Sequence, residues 1–286
     1  MAVYKRTYKT YSGPRTLPWS RFLILTRFSY TRLFQSKFVM FFISACFFYP
    51  VGCLAFIYFS HNVQLLALLS LGDAKLPPVD GKFFFTFCKI QSNLAFLLTA
   101  LVAPGLISPD LANGAMPLYF SRPFSRTEYA LGKITPLALL LSLVTWIPGL
   151  ILYAAQAGLS GWDWTKQNLW MAEAIFLGLI TWVTILSLIS LALSAWVKWK
   201  LAAGALVLAV FVAGAGFGAA INNVLRTHYG GLISLNQVVY TIWGELFRYD
   251  WGGQLSLSQA WFVVIFTSAI CLWLLAKRIR PFEVVK

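Results

Sequence analysis

Apolar residues in this chain come in long unbroken runs, not in alternation with polar ones, and that pattern predicts helices that cross a bilayer. Six runs stand out: Phe38–Phe59, Phe83–Ile107, Ile134–Ala157, Leu169–Val197, Leu201–Ile221 and Ala260–Ala276. A helix needs roughly 20 apolar residues to cross a hydrocarbon core of about 30 Å. A membrane barrel would show short alternating segments instead. The fourth run exceeds one crossing, which predicts a tilted or partly interfacial helix. The sixth is the shortest, with Leu255 as an alternative start. The predicted fold class is an all-α integral membrane protein with six transmembrane helices.

The segments between the runs predict connectors and surface elements. Residues 1–17 read as a basic tail, and Leu17–Lys37 as a helix lying on the membrane surface with Phe22, Leu23, Tyr30, Leu33 and Phe34 on one broad face. His61–Lys82 carries Gly72, Pro77-Pro78 and Gly81 and reads as a turn-rich connector. Gly158–Asn168 is expected to be a loop holding Trp162 and Trp164 at the interface. Asn222–Gln259 is the longest expected exposed segment, with one or two short helices within Leu232–Phe247. The expected organisation is a basic tail and interfacial helix over 1–37, a membrane domain over 38–276 and a basic tail over 277–286. Within the membrane domain, 108–133 is one polar loop and 222–259 another.

Composition agrees: 59% of residues are hydrophobic and 11% charged, against about 25% charged in an ordinary soluble domain. The net charge of +14 could suggest a nucleic-acid partner, but its placement argues against one. Of 23 Lys and Arg, only Lys75, Lys82, Lys89, Lys166, Arg226 and Arg248 fall outside the N-terminal segment, the second-to-third loop, the fourth-to-fifth loop and the C-terminal tail. By the positive-inside rule those four basic segments are cytoplasmic, as are both termini. No cleavable signal peptide is visible in the first 37 residues. The cysteines Cys46, Cys53, Cys88 and Cys271 all fall in apolar runs, which argues against disulfides.

Candidate chemistry is sparse. Polar groups inside the runs are costly and tend to face protein or water. Lys89, Ser92 and Asn93 share one face of the second run. Glu173 begins a stripe with Thr181, Thr184, Ser187 and Ser194 on the fourth, a candidate cavity wall. Lys89 either pairs with Glu173 at similar depth or runs outward to the interface, and the second reading is preferred. The fifth run contains Gly214-Ala215-Gly216-Phe217-Gly218, which permits close helix approach, within the chain or against a second copy. His61 and His228 read as isolated loop histidines. No H-E-x-x-H, G-x-S-x-G or paired aspartates occur, which argues against a membrane enzyme. No Gly-rich phosphate loop occurs, so this chain is not expected to bind ATP.

The stretch Ser108–Lys133 carries the most information. It holds Asp110, Asn113-Gly114, Tyr119, Ser121-Arg122-Pro123, Arg126, Tyr129 and Gly132-Lys133 between two apolar runs. In these elements and their spacing it closely resembles the cytoplasmic loop between the second and third spans of type-2 ATP-binding-cassette exporter permeases. The resemblance implies a transport subunit in the bacterial cytoplasmic (inner) membrane. It implies two separate ATPase subunits that carry ATP and magnesium, and a second permease copy or a paralogue. It also implies an interfacial N-terminal helix and an outer segment dipping back into the outer leaflet. A coupling helix is expected within Leu111–Phe120, capped by Asp110 or Asn113 and with Pro117 in its first turn. Leu118, Tyr119 and Phe120 are expected to contact the ATPase, with Arg122 and Arg126 pairing to its acids and Pro123 beside them. Glu128 is expected to pair with Arg126 or Lys133. The cargo expected is amphipathic: lipid, glycan, peptide or drug. An ion-coupled carrier or an integral-membrane enzyme without an ATPase partner is the alternative.

Overall fold

Prolines set the breaks in the long apolar runs. The structure, a computed structural model, describes residues 20–62, 76–121 and 124–279. Among these residues every regular element is helical. In chain order they are α1 (Arg21–Phe34), α2 (Lys37–His61), α3 (Gly81–Val102), α4 (Pro104–Ala112), α5 (Met116–Phe120), α6 (Arg126–Val144), α7 (Trp146–Ser160), α8 (Trp162–Ser194), α9 (Lys200–Leu225), a 3-10 turn (Tyr229–Leu232), α10 (Leu235–Leu246) and α11 (Leu257–Arg278). Six units are long and apolar enough to cross a membrane: Lys37–His61, Gly81–Ala112, Arg126–Ser160, Trp162–Ser194, Lys200–Leu225 and Leu257–Arg278. The second unit is α3 continued by α4, and the third is α6 continued by α7.

A proline ring has no amide hydrogen, so the carbonyl four residues earlier loses its helical donor. Pro50 inside α2, Pro104 at the start of α4 and Pro148 in the first turn of α7 do this to Cys46, Ala100 and Val144. Gln91, fully buried on α3, repairs two of the three. Its Nε2 donates to the Cys46 carbonyl at 3.1 Å and to the Val144 carbonyl at 2.6 Å. One amide thus ties α3 to α2 and to the α6–α7 break. Beside the third orphan, a Cβ on Gly204 of α9 would lie 2.7 Å from the Ala100 carbonyl oxygen. Only glycine lets α9 come that close.

Helix α8 forms the centre. Some 72% of its apolar window is buried, against 22% for α9 and for α11, and it touches α3, α4, α6, α7, α9, α10 and α11. Small residues on α8 admit large partners. Gly178 receives the Trp243 ring, whose Nε1 donates to the Gly178 carbonyl at 2.9 Å. Trp243 belongs to α10, which buries Val238, Val239 and Ile242 beside it. Within segment 222–259 the stretch Val238–Phe247 is therefore packed into the bundle, whereas 223–229 and 252–258 are mostly exposed. Gly214 and Gly218 of α9 face the backbone at Ile233 and Gly230, so those glycines serve packing within the chain. Gly216 meets nothing.

One other expectation is corrected. The connector expected over Gly158–Asn168 shrinks to a turn at Gly161 (φ 90°), because α8 already begins at Trp162. Helix α8 kinks at Asn168 (φ −116°, ψ 16°), one residue before the fourth apolar run begins. On α1 the residues that face the bundle are Leu25, Thr26 and Ser29, with Leu33 of the expected apolar face packed beside them. Leu23 and Phe34 are exposed, with Ile24 and Phe28. The inward side is small because α6 comes close: a Cβ on Gly132 would lie 2.8 Å from Leu25 Cδ2. Cys46, Cys53, Cys88 and Cys271 are buried free thiols. The tail over 1–17 lies outside the described residues.

Candidate functional site

The loop singled out by sequence is not one helix. Leu111 and Ala112 end α4, and the chain then reverses through a Schellman turn. Asn113 is the C-cap, Gly114 adopts φ 62°, and the Ala115 amide donates back to the Asp110 carbonyl at 2.8 Å. The positive φ explains the glycine, since a side chain there meets its own backbone. A separate five-residue helix, α5, follows, with Pro117 in its first turn as expected. The expected coupling region Leu111–Phe120 thus holds the end of α4, a turn, and a short helix that starts just before Pro117. Neither Asp110 nor Asn113 caps a helix start.

Asp110 has another task. Its Oδ2 accepts from Lys133 Nζ at 2.8 Å and from the Tyr129 hydroxyl at 2.8 Å. The side chains of Lys133 and Asp110 are only 6% and 13% exposed, and Tyr129 is fully buried. A buried carboxylate needs both a countercharge and hydrogen bonds, and here it has them. Tyr119 and Phe120 close over this group with ring centroids 5.3 and 6.2 Å from that of Tyr129. Burial pushes the Tyr119 hydroxyl above its ordinary pKa; the Asp110 charge adds to the rise and the Arg32 charge opposes it. Four of the motif's positions therefore meet in one packed cluster joining α4, α5 and α6.

The expected pairing of Glu128 with Arg126 or Lys133 is not formed. Glu128 closes a capping box with Ser125 at the start of α6, accepting the Ser125 amide at 2.6 Å while its own amide donates to Ser125 Oγ at 3.2 Å. Lys133 is already held by Asp110. Leu118 is 71% exposed and Arg126 is also exposed, whereas Tyr119 and Phe120 turn inward. Arg122 and Pro123 lie outside the described residues.

Further basic groups gather at the same end of the bundle. Ser108 donates to the Ser194 carbonyl at 3.2 Å, and Arg278 Nε to the Ala195 carbonyl at 3.2 Å, so both cap the end of α8. Lys200, at the start of α9, lies over Gly105.

The expected pathway residues do not converge. Lys89 and Glu173 are both exposed and form no ion pair with each other; the Lys89 ammonium stands 5.4 Å from the Tyr240 ring centroid. Ser92 and Asn93 both return a hydrogen bond to the Lys89 carbonyl. Thr181 and Thr184 bond to Leu177 and Ile180 one turn back. Their hydroxyls are satisfied locally, as is usual for hydroxyls in helices. Glu173 and Thr184 face outward, while Ser187 is buried with no hydrogen-bond partner, so the stripe does not form one open wall. His61 is no free loop histidine: its Nε2 meets Ser160 Oγ at 3.0 Å and joins the ends of α2 and α7. Sequence reasoning passed over Gln91, although a glutamine in an apolar run that faces proline-broken neighbours was a visible signal.

No family model matches this chain, and no curated protein matches its sequence.

Proposed function

We propose that this chain is the membrane-spanning subunit of an ATP-driven exporter of the type-2 kind. In this reading it works as a pair with a second copy or a paralogue. Two separate ATPase subunits dock at the end that carries the 108–133 loop. That end is cytoplasmic by the charge rule, and the membrane is the bacterial cytoplasmic membrane. The cargo class is amphipathic, moved across that membrane in a path between the paired subunits.

One observation carries the reading: Asp110, Tyr119, Tyr129 and Lys133, apart in sequence, meet in a buried cluster on the loop that carries the resemblance. A push from a closing ATPase moves a span only if the contact between them is rigid and has discrete arrangements. An ion pair with a shared tyrosine hydrogen bond supplies that rigidity. Leu118 and Arg126 remain outward as docking groups. The Lys89 and Glu173 positions give the carrier alternative no support, since a carrier wants charged groups facing a shared cavity.

Affinity purification from the native membrane in mild detergent tests this. The wild type is expected to bring down a soluble ATP-hydrolysing polypeptide. A Leu118→Asp/Arg126→Glu variant is expected to fold, to stay in the membrane and to lose that partner. A wild type recovered without any ATPase would remove the exporter reading.

A further inference from the structure

A second feature of this end is a cavity of about 240 Å³ between α1, the α3–α4 break and the start of α9. Three cations reach it: Arg32 from α1, Lys133 from α6 and Lys200 from α9. The one acid on its wall among the described residues is Asp110, already bound by Lys133 and Tyr129. Arg32 and Lys200 have no ion-pair partner among the described residues. The hydroxyl of Tyr119 completes the polar side, and Phe28, 64% exposed, stands on the apolar side.

Arg32 and Lys200, both exposed and drawn from separate elements, line one cavity, and an anion placed between them is attracted by both. The volume equals that of about eight waters at about 30 Å³ each, room for a phosphate group with part of its shell. Guanidinium and ammonium groups are the side chains suited to phosphate oxygens. Exposed Ile24 and Phe28 on α1 give acyl chains an apolar surface beside the charged mouth. We infer that this cavity is a phosphate-binding site that takes the headgroup of an anionic phospholipid and clamps α1 to the spans. The site goes beyond the exporter reading and does not depend on an ATPase.

The test uses the purified full-length protein in a neutral detergent, with fluorescent phosphatidylglycerol, phosphatidylcholine and inorganic phosphate as separate probes. Wild type is expected to bind phosphatidylglycerol well ahead of phosphatidylcholine. Removing two surface charges by Arg32→Gln/Lys200→Gln is expected to weaken that binding about 30-fold, taking about 1 kcal/mol for each cation. An Arg32→Lys/Lys200→Arg variant keeps both charges and is expected to restore it. Arg226→Gln, at the C-cap of α9 away from the cavity, is expected to change nothing. Inorganic phosphate that binds with the same variant dependence, and is not displaced by the lipid, would keep the site and assign free phosphate as its ligand. Equal binding of the two lipids with no phosphate binding, or phosphatidylglycerol binding that survives the double substitution, overturns the inference.

Discussion

Two side chains hold contacts on which the rest of the bundle depends. Gln91 supplies donors to carbonyls that Pro50 and Pro148 leave bare. A buried carbonyl left without a donor costs about 1–3 kcal/mol. Gln91→Leu strands two of them and should lower the thermal midpoint in detergent well beyond the effect of Thr86→Ala, an exposed change. Pro50→Ala returns an amide hydrogen to Cys46, so it should stabilise the Gln91→Leu protein more than it stabilises wild type. Equal effects in both backgrounds would show that the two positions are not coupled. The other side chain is Asp110. Removing one partner of a buried ion pair costs about 3–5 kcal/mol, because the other charge is stranded. Asp110→Ala should be destabilising on that scale, and adding Lys133→Met should recover most of the loss; unfolding followed by tryptophan fluorescence reads both. The Asp110–Lys133 pair was invisible in the sequence, because it joins residues on opposite sides of a turn whose path depends on Gly114. The capping box at Ser125–Glu128 was legible by contrast, since it is set by a spacing of three, although the expectation for Glu128 was only an ion pair.

At the scale of helices, the six crossings were legible because crossing length is fixed by the bilayer and not by packing. Their interruptions were less so. Pro104 and Pro148 stood in plain view, but whether a proline breaks a helix or sits inside it, as Pro50 does, depends on what neighbours supply to the freed carbonyl. The protein-facing side of α1 was not legible for a related reason. Periodicity finds the apolar side, and in a membrane the apolar side can face lipid while small residues face protein. That packing is testable at Gly132. Gly132→Val drives a branched side chain into Leu25 and should lift α1, freeing its backbone for tryptic cleavage after Arg21 and Arg27. Gly216→Val, which points into open space, should leave the digestion pattern unchanged. Similar digestion of both variants would show that Gly132 does not hold α1.

Across the whole molecule, burial is uneven. The α8 crossing is enclosed, whereas the α2, α9 and α11 crossings are 28%, 22% and 22% buried and present their sides outward. A bundle with three such flanks has ample surface for lipid and for a second copy, as the proposed pairing requires. The basic residues Arg32, Lys133, Lys200 and Arg278 gather at one end through contacts that join α1, α4, α6, α8, α9 and α11. Four of the basic residues read from sequence thus come together at one end of the bundle, while the proposed cargo path, which would run between paired subunits, leaves no comparable trace in one chain. Docking at that end can be read directly by crosslinking in native membranes. All four native thiols are buried, so a photoreactive maleimide on Leu118→Cys (71% exposed) or on Val224→Cys (79% exposed) reports one place at a time. The exporter reading requires an ATP-hydrolysing polypeptide captured from position 118 and absent from position 224. Capture from both positions, or from neither, would contradict an ATPase docked on this loop.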